Sequence, residues 1–91
     1  MDVKQISKYT KNLKLLYVED NKDAREFTLL VLKNLFNNIK VAYDGQEGLE
    51  KFNQANQNYQ KFDLILTDIN MPRLNGLEMI AGIRKIDNII P

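Results

Sequence analysis

The sequence predicts an α/β fold in which a parallel sheet is built from alternating strands and helices. Three short apolar runs are each followed by a segment with helical periodicity. Continuous apolar runs are typical of strands that are buried on both faces of a sheet. Strands that alternate with helices along a chain form parallel sheets with right-handed crossovers. The chain of 91 residues is long enough for one domain of this kind.

The first strand and the helix after it are separated by an acidic turn. Residues 13–18 form the apolar run, which ends at Glu19, Asp20 and Asn21. Asp20 or Asn21 can cap a helix over residues 22–36, because a side-chain oxygen there accepts hydrogen bonds from the first free N–H groups. The apolar residues of this segment recur at helical spacing and predict a core-facing stripe, formed by Phe27, Leu29, Leu30, Val31, Leu32, Leu35 and Phe36.

The second strand is predicted at residues 39–43, and the third within the apolar run at 63–69. Between them, Asp44 with Glu47 three residues later predicts a capping box. The helix that it starts fades in an Asn- and Gln-rich stretch at residues 53–60, which we interpret as a helix end and a surface loop. Residues 70–74 form a loop, because Pro72 has no N–H group to donate to a sheet.

A third helix is predicted to begin after Asn75, with an apolar face formed by Met79, Ile80, Ile83 and Ile86. Ile89 and Ile90 then begin a further apolar run, interpreted as the first residues of a fourth strand. At the other end of the chain, residues 1–12 are polar and lack a clear period. We interpret them as an N-terminal extension with at most one loose helical turn, ahead of a domain at residues 13–91.

The composition excludes several classes of function. The chain has no cysteine and no histidine, so it can form neither a disulfide framework nor a Ser-His-Asp site. A formal charge of +1 gives no reason to expect contact with nucleic acid or an anionic membrane. The N-terminus has no apolar core typical of a secretion signal, and no stretch approaches the roughly 20 apolar residues of a membrane helix. These features predict a soluble, cytoplasmic protein.

Acidic residues follow two of the predicted strands at the point where each strand ends. Glu19 and Asp20 follow the first strand, and Asp68 ends the third. In an open parallel sheet, ligands bind outside the carboxyl ends of the strands. If these strands are neighbours, the carboxylates meet and repel one another, and Mg²⁺ with its preference for oxygen ligands can hold them together. A carboxylate at such a centre can be a nucleophile that forms an acyl phosphate.

Simpler interpretations stay open for each residue taken alone. Asp20 can be only a helix cap, and Asp68 can be only a turn residue at a strand end. Pro72 and Gly76 are turn residues first.

The joint pattern resembles the receiver domain of response regulators. Residues 15–21 resemble the strand that opens receiver domains with an acidic pair, and residues 63–72 resemble the phosphoacceptor strand with its Met-Pro loop. Residues 75–78 resemble the start of the next helix, and Asp44-Gly45 the second strand-to-helix turn. The match covers residues 13–91, and in this order and spacing the pieces are together highly specific.

The resemblance implies a function and a role for each site residue. Asp68 would accept a phosphoryl group from a histidine kinase or a phosphotransfer protein. Asp20 and Asp68 would bind Mg²⁺ directly, Glu19 through water, and Asn70 through its backbone carbonyl. The loop residues Met71 and Pro72, with Gly76, would shape the site. The implied fold is a flavodoxin-like, doubly wound parallel sheet with strand order 2-1-3-4-5. The module would not be an enzyme beyond its own phosphorylation and dephosphorylation.

The chain departs from the family by ending at Pro91. The rest of strand four with its Thr or Ser, and strand five with its Lys, would be absent, so the predicted fold is incomplete: three strands, three helices and a strand-four stub. An apolar sheet edge left open in this way pairs with other chains. We therefore expect a homodimer or an exchange of segments through that edge.

Two other functions stay open at this point. The chain can be a non-catalytic interaction or dimerisation fragment with an inactive acid pocket. It can also be a phosphatase of the haloacid-dehalogenase type, which uses a nucleophilic Asp with Mg²⁺. That type needs a second acid two residues after the nucleophile, where this chain has Asn70.

Overall fold

A computed structural model describes residues 2–68, 71, 75–87 and 90–91. Within this part of the chain, three parallel strands form a sheet in the order β2-β1-β3, as the sequence predicts, and helices pack on both faces. The elements follow one another in the order α1 (Val3–Thr10), β1 (Lys14–Val18), α2 (Lys22–Leu32), β2 (Asn38–Ala42), α3 (Gly45–Gln57), β3 (Leu64–Thr67) and α4 (Gly76–Ile86).

The central strand β1 pairs with both β2 and β3 and therefore sets the register of the sheet. Leu15 pairs with Leu64 of β3, and Val18 pairs with Thr67 at the other end of the same ladder. On the opposite side, Val18 pairs with Ala42 of β2. The strands therefore end at the same level, and the residues that follow β1 and β3 emerge side by side at one edge of the sheet.

One face of the sheet is covered by α3 and α4. The largest fully buried side chains include Phe52 of α3, Met79 and Ile83 of α4, and Leu16 and Val18 of β1. Tight packing at this face depends on Gly48. A Cβ atom at this glycine would lie 2.6 Å from Met79 Sδ and 2.9 Å from Val18 Cγ2, so the absence of a side chain lets α3 approach β1 and α4 closely.

The other face is covered by α2. Some residues of the apolar stripe predicted for this helix are buried, and others are exposed. Leu32 and the following Phe36 are buried against β1, as predicted. Phe27, Leu30 and Val31 are instead exposed at 71%, 68% and 51%, so their prediction as core residues was wrong. The reason is geometric: apolar residues extend around most of α2, and only the side that faces the sheet can be buried by it.

The helix starts agree with the sequence patterns, whereas the end of α2 does not. Asn21, Asp44 and Asn75 are the N-caps of α2, α3 and α4, each accepting a hydrogen bond from a backbone N–H three residues on. Helix α2 ends at Leu32 rather than at residue 36, because its last turn tightens into backbone bonds to residues three positions earlier. Helix α3 ends at Gln57, within the Asn- and Gln-rich stretch where a helix end and a loop are predicted.

The N-terminal residues form a regular helix rather than one loose turn. Asp2 caps α1 through a capping box in which its carboxylate accepts from Gln5 N and the Gln5 side chain accepts from Asp2 N. The end of α1 is tied to the segment after α2, because the Thr10 hydroxyl donates to the backbone carbonyl of Leu35. The division between an extension at residues 1–12 and a domain at 13–91 stays a prediction. No helix of the described residues is long and apolar enough to cross a membrane.

The last residues lie beside β3, on the side away from β1. Ile65 N donates to the carbonyl of Pro91 at 3.1 Å, and Ile90 is buried in the core next to α3 and α4. These contacts agree with the prediction of a fourth-strand stub, although Ile89 lies outside the described residues. The outer edge of β3 therefore has a partner at Ile65.

Candidate functional site

Three carboxylates meet at the edge of the sheet where β1 and β3 end. Glu19, Asp20 and Asp68 each offer an oxygen atom, and these three atoms lie within 4.8 Å of one another. The backbone bonds next to them fix this arrangement: Asp68 N donates to Val18 O at 3.2 Å, and Glu19 N donates to Ala42 O at 3.0 Å. The ladder that pairs β1 with β3 thus brings together acids that are 48 residues apart in the chain.

Within this cluster the pKa of Glu19 is raised. Burial raises the pKa of the half-buried Glu19 carboxyl above its ordinary value of 4.5, and the neighbouring Asp20 and Asp68 raise it further. A hydrogen bond from Asn21 N to Glu19 Oε2, at 3.3 Å, acts in the opposite direction on this pKa. The raised pKa means that the charged form of Glu19 is disfavoured in the folded protein. A cation bound beside the carboxylate would stabilise that charged form.

The donor set fits Mg²⁺. Mg²⁺ binds hard oxygen ligands at about 2.1 Å and keeps several waters, so two direct ligands on opposite sides of one ion are at most about 4.2 Å apart. Separations of up to 4.8 Å therefore suit an ion bound directly by some of the acids and through water by another. Glu19 is half-buried, whereas Asp20 is exposed.

The side chains of Arg25 and Tyr43 lie beside the acids, and the sequence analysis missed both residues. Arg25 Nη1 of α2 donates to the backbone carbonyl of Glu19 at 3.1 Å and to that of Asp20 at 3.5 Å. Its guanidinium lies over the ring of Tyr43, 4.2 Å from the ring centroid. A signal was present in the sequence: Arg25 is the fourth residue of α2, near an N-terminus where the helix dipole disfavours a cation.

The remaining predicted site residues fall into two groups. Met71 is buried in the core that lies between the sheet and helices α3 and α4, and Gly76 is buried as the first residue of α4. Both positions are consistent with a role in shaping the loop. Asn70 and Pro72 lie outside the described residues, so their predicted roles stay predictions.

Comparison with known proteins decides between the classes that the acid cluster leaves open. The sequence model of the response regulator receiver domain matches residues 15–91. The chain belongs to the response regulator receiver family. Receiver domains are the phosphoacceptor modules of two-component signalling, and they are signalling modules rather than enzymes in the ordinary sense. The prediction of this family is confirmed, and the match favours it over the phosphatase alternative.

Two individual proteins are similar to the chain in sequence. The chain is 37% identical over 78 residues to the transcriptional regulatory protein CpxR homolog of Haemophilus influenzae, an alignment that covers 84% of the chain and 31% of that protein. The crystal structure of the N-terminal domain of an uncharacterized Wolinella succinogenes protein is 41% identical, with a TM-score of 0.72 and coverage of 84% of this chain and 57% of that one. The chain thus spans about a third of the length of the curated relative.

A more distant receiver structure shows the fold. The receiver domain of the histidine kinase CKI1 from Arabidopsis thaliana, complexed with Mg²⁺ and BeF₃⁻, superposes with a TM-score of 0.78 at 24% identity, over 94% of this chain and 64% of that one. The prediction of a flavodoxin-like parallel sheet is confirmed by the strand order and by this likeness.

Proposed function

We propose that this receiver module takes a phosphoryl group from the phosphohistidine of a histidine kinase or a phosphotransfer protein onto Asp68, in the cytoplasm and with Mg²⁺. The observation that carries the proposal is the convergence of Glu19, Asp20 and Asp68 within 4.8 Å at the end of β1 and β3. A carboxylate can be the nucleophile that forms an acyl phosphate, and a metal can neutralise the charge of the phosphoryl group, so the acceptor chemistry calls for neither histidine nor cysteine, both of which the chain lacks.

Each acid has a distinct role in the proposal. Asp20 and Asp68 would bind the ion directly, Glu19 would bind it through water, and Asn70 would contribute its backbone carbonyl. When bound, Mg²⁺ supplies positive charge against the oxygens of the incoming phosphoryl group. Met71, Pro72 and Gly76 shape the loop that follows the acceptor.

The transfer step exchanges one bond to phosphorus for another. A carboxylate oxygen of Asp68 attacks the phosphorus while the bond from phosphorus to the imidazole nitrogen breaks. The imidazole of the donor keeps the electron pair of that bond and takes up a proton from solvent. Attack by water on the resulting acyl phosphate releases inorganic phosphate and restores Asp68, so the module also limits the lifetime of its own signal.

Intact-mass spectrometry after incubation with a small-molecule phosphodonor and Mg²⁺ tests the proposal. Wild type is expected to gain one phosphoryl group, and chelation of Mg²⁺ is expected to abolish the gain. Asp68→Asn should gain none. Asp23→Asn is a matched control, because it removes an acid from the first turn of α2 but leaves the cluster complete, and it should behave as wild type. Absence of an adduct in folded wild type would contradict the proposal.

A second candidate function, self-association, is favoured by the exposed stripe of α2. Phe27, Leu30 and Val31 are spaced by three and four residues and are more than half exposed, so they form one apolar ridge. The sequence analysis expected pairing through the open sheet edge, but Pro91 already occupies part of that edge at Ile65. We therefore propose that a second copy docks on the α2 ridge rather than on the edge.

The charges beside the ridge suit an antiparallel pair of α2 helices. Glu26 and Lys33 are exposed and lie seven residues apart, so they occupy the same flank of the helix. In an antiparallel pair with twofold symmetry, Glu26 of one copy faces Lys33 of the other, twice. The ridge has three apolar side chains, far fewer than the roughly 20–30 residues per side of a standard interface, so we expect this association to be weak and concentration-dependent.

Charge reversal distinguishes this interface from non-specific association. Sedimentation velocity over a range of concentrations should show dimer formation by wild type. Glu26→Lys and Lys33→Glu should each weaken the dimer, and the double exchange Glu26→Lys with Lys33→Glu should restore it. Leu30→Asp should abolish it. A chain that stays monomeric at millimolar concentration, or single reversals without effect, would exclude self-association through α2 but would leave phosphorylation of Asp68 untouched.

A further inference from the structure

Two of the three clustered acids lie on one short segment, whose backbone is held from several directions. The segment at residues 19–21 leaves β1 and enters α2. Its beginning is fixed by the bond from Glu19 N to Ala42 O, and its end by the Asn21 side chain, which accepts from Ala24 N at 2.9 Å. Between these points, the two carbonyl groups of Glu19 and Asp20 point toward a single side chain, Arg25.

Arg25 is an unusual residue for its position. A cation near the N-terminus of a helix is disfavoured by the helix dipole. The observed contacts compensate for this: a guanidinium group donates in a planar fork and also stacks on an aromatic ring. Here Nη1 bonds the segment that carries the acids, while the ring of Tyr43, from the loop after β2, lies 4.2 Å away on one face.

We infer that Arg25, held in place by Tyr43, is a positioning residue that fixes the Glu19–Asp20 backbone so that both carboxylates converge on Asp68. This inference rests on the proposed metal-binding function of the acids. The bonds from Arg25 end on main-chain oxygens, so they orient the two acids without using the carboxylate oxygens that a cation requires. Because Tyr43 directly follows β2, its contact with Arg25 also connects the end of β2 to the ends of β1 and β3 at the site.

Positioning and simple electrostatics predict opposite effects on metal affinity. A positive charge beside a cation site repels the cation, so loss of Arg25 would tighten Mg²⁺ binding if charge alone mattered. If Arg25 orients the acids, its loss weakens binding, by about tenfold if it acts like the outer-shell partners of other metal sites. The direction of the change therefore identifies the role.

A set of variants exploits this difference, with the Mg²⁺ dissociation constant measured by calorimetry. Arg25→Gln should weaken binding by about tenfold, and Arg25→Lys should not restore it, because an ammonium lacks the planar fork. Tyr43→Phe keeps the ring and should match wild type, whereas Tyr43→Leu should resemble Arg25→Gln. Lys22→Gln removes a charge from the same turn and is the control: it should leave binding equal or slightly tighter. Tighter binding by Arg25→Gln would overturn the inference.

A readout without metal keeps the inference separate from the proposed function. Amide hydrogen exchange of metal-free protein reports the order of the segment directly. In Arg25→Gln, exchange at the Asn21 and Ala24 amides should accelerate several-fold, while exchange at Leu16 in the centre of β1 should not change. Unchanged exchange at Asn21 would overturn the inference even if the acids bind Mg²⁺. If wild type binds no Mg²⁺ yet Asn21 responds as expected, the proposed metal site fails and the positioning by Arg25 stands.

Discussion

Neutralising Asp20 should stabilise the metal-free protein, although it removes a metal ligand from the site. The oxygen atoms of the acid cluster lie up to 4.8 Å apart, and two unit charges at that distance repel by about 0.9 kcal/mol in water and by about 3.5 kcal/mol at an effective dielectric constant of 20. Asp20 is exposed, so the lower value applies. Asp20→Asn removes two such pairs, and screening by salt leaves a gain of roughly 1 kcal/mol.

Thermal unfolding with and without Mg²⁺ measures this effect. Without Mg²⁺, Asp20→Asn should unfold about 4–8 °C above wild type, the shift that roughly 1 kcal/mol produces in a domain of this size. With Mg²⁺ at about ten times its dissociation constant, wild type should gain about 1.4 kcal/mol of unfolding free energy. The variant has lost a ligand and should gain much less, so the order of the two proteins reverses.

The control for this prediction is the acid nearest in sequence that lies outside the cluster. Asp23 occupies the first turn of α2, where an acid is stabilised by the helix dipole by about 0.3–1 kcal/mol. Asp23→Asn should therefore lower the melting temperature and leave the response to Mg²⁺ unchanged. The reasoning is refuted if Asp20→Asn melts below wild type without Mg²⁺, or if both proteins respond equally to the ion.

Further predictions concern protonation and packing. The pKa of Glu19 is raised above 4.5 in the folded protein, so the contribution of Glu19 to the free energy of unfolding is fully present below pH 4.5 and is lost as pH rises through the folded pKa. Glu19→Gln should therefore stabilise the metal-free protein near neutral pH but not below pH 4.5. Urea unfolding at several pH values can check this. Gly48→Ala should cost about 1–3 kcal/mol of unfolding free energy by overpacking, because its methyl group would meet Met79 Sδ at 2.6 Å. Gly82→Ala meets only the end of the flexible Leu49 side chain, at 3.0 Å, so urea unfolding should show an equal stability or a gain of up to about 1 kcal/mol from helix propensity.

The elements that the sequence predicted best are those with a local chemical signal. Asn21, Asp44 and Asn75 were recognisable as caps because each is a short polar side chain directly before a periodic segment, and all three cap helices in the structure. The end of α2 was misplaced because Leu35 and Phe36 continue the apolar pattern after the helical bonds have ended at Leu32. Hydrophobic spacing reports which residues can be buried, not where a hydrogen-bond ladder stops.

The candidate site also has a part that the sequence predicts and a part that it does not. The acids can be grouped from the sequence alone, because parallel strands end at a common edge and Glu19, Asp20 and Asp68 follow two of those strands. The contact of Arg25 with Tyr43 could not be predicted, because it joins α2 to the loop after β2 across a distance that no periodic pattern encodes. The exposure of Phe27 was also missed, since a helical stripe shows amphipathicity but not the width of the surface that covers it.

Chemical trapping of the acceptor residue tests the central claim most directly. Borohydride reduces an acyl phosphate of aspartate to homoserine, which peptide mass spectrometry then locates in the sequence. After incubation with a phosphodonor, homoserine should be found at position 68 only when Mg²⁺ is present, and the Asp20→Asn variant should show much less of it. Homoserine at position 20 instead, or none at position 68 in folded, Mg²⁺-supplied protein, would contradict the assignment of Asp68 as phosphoacceptor of this receiver domain.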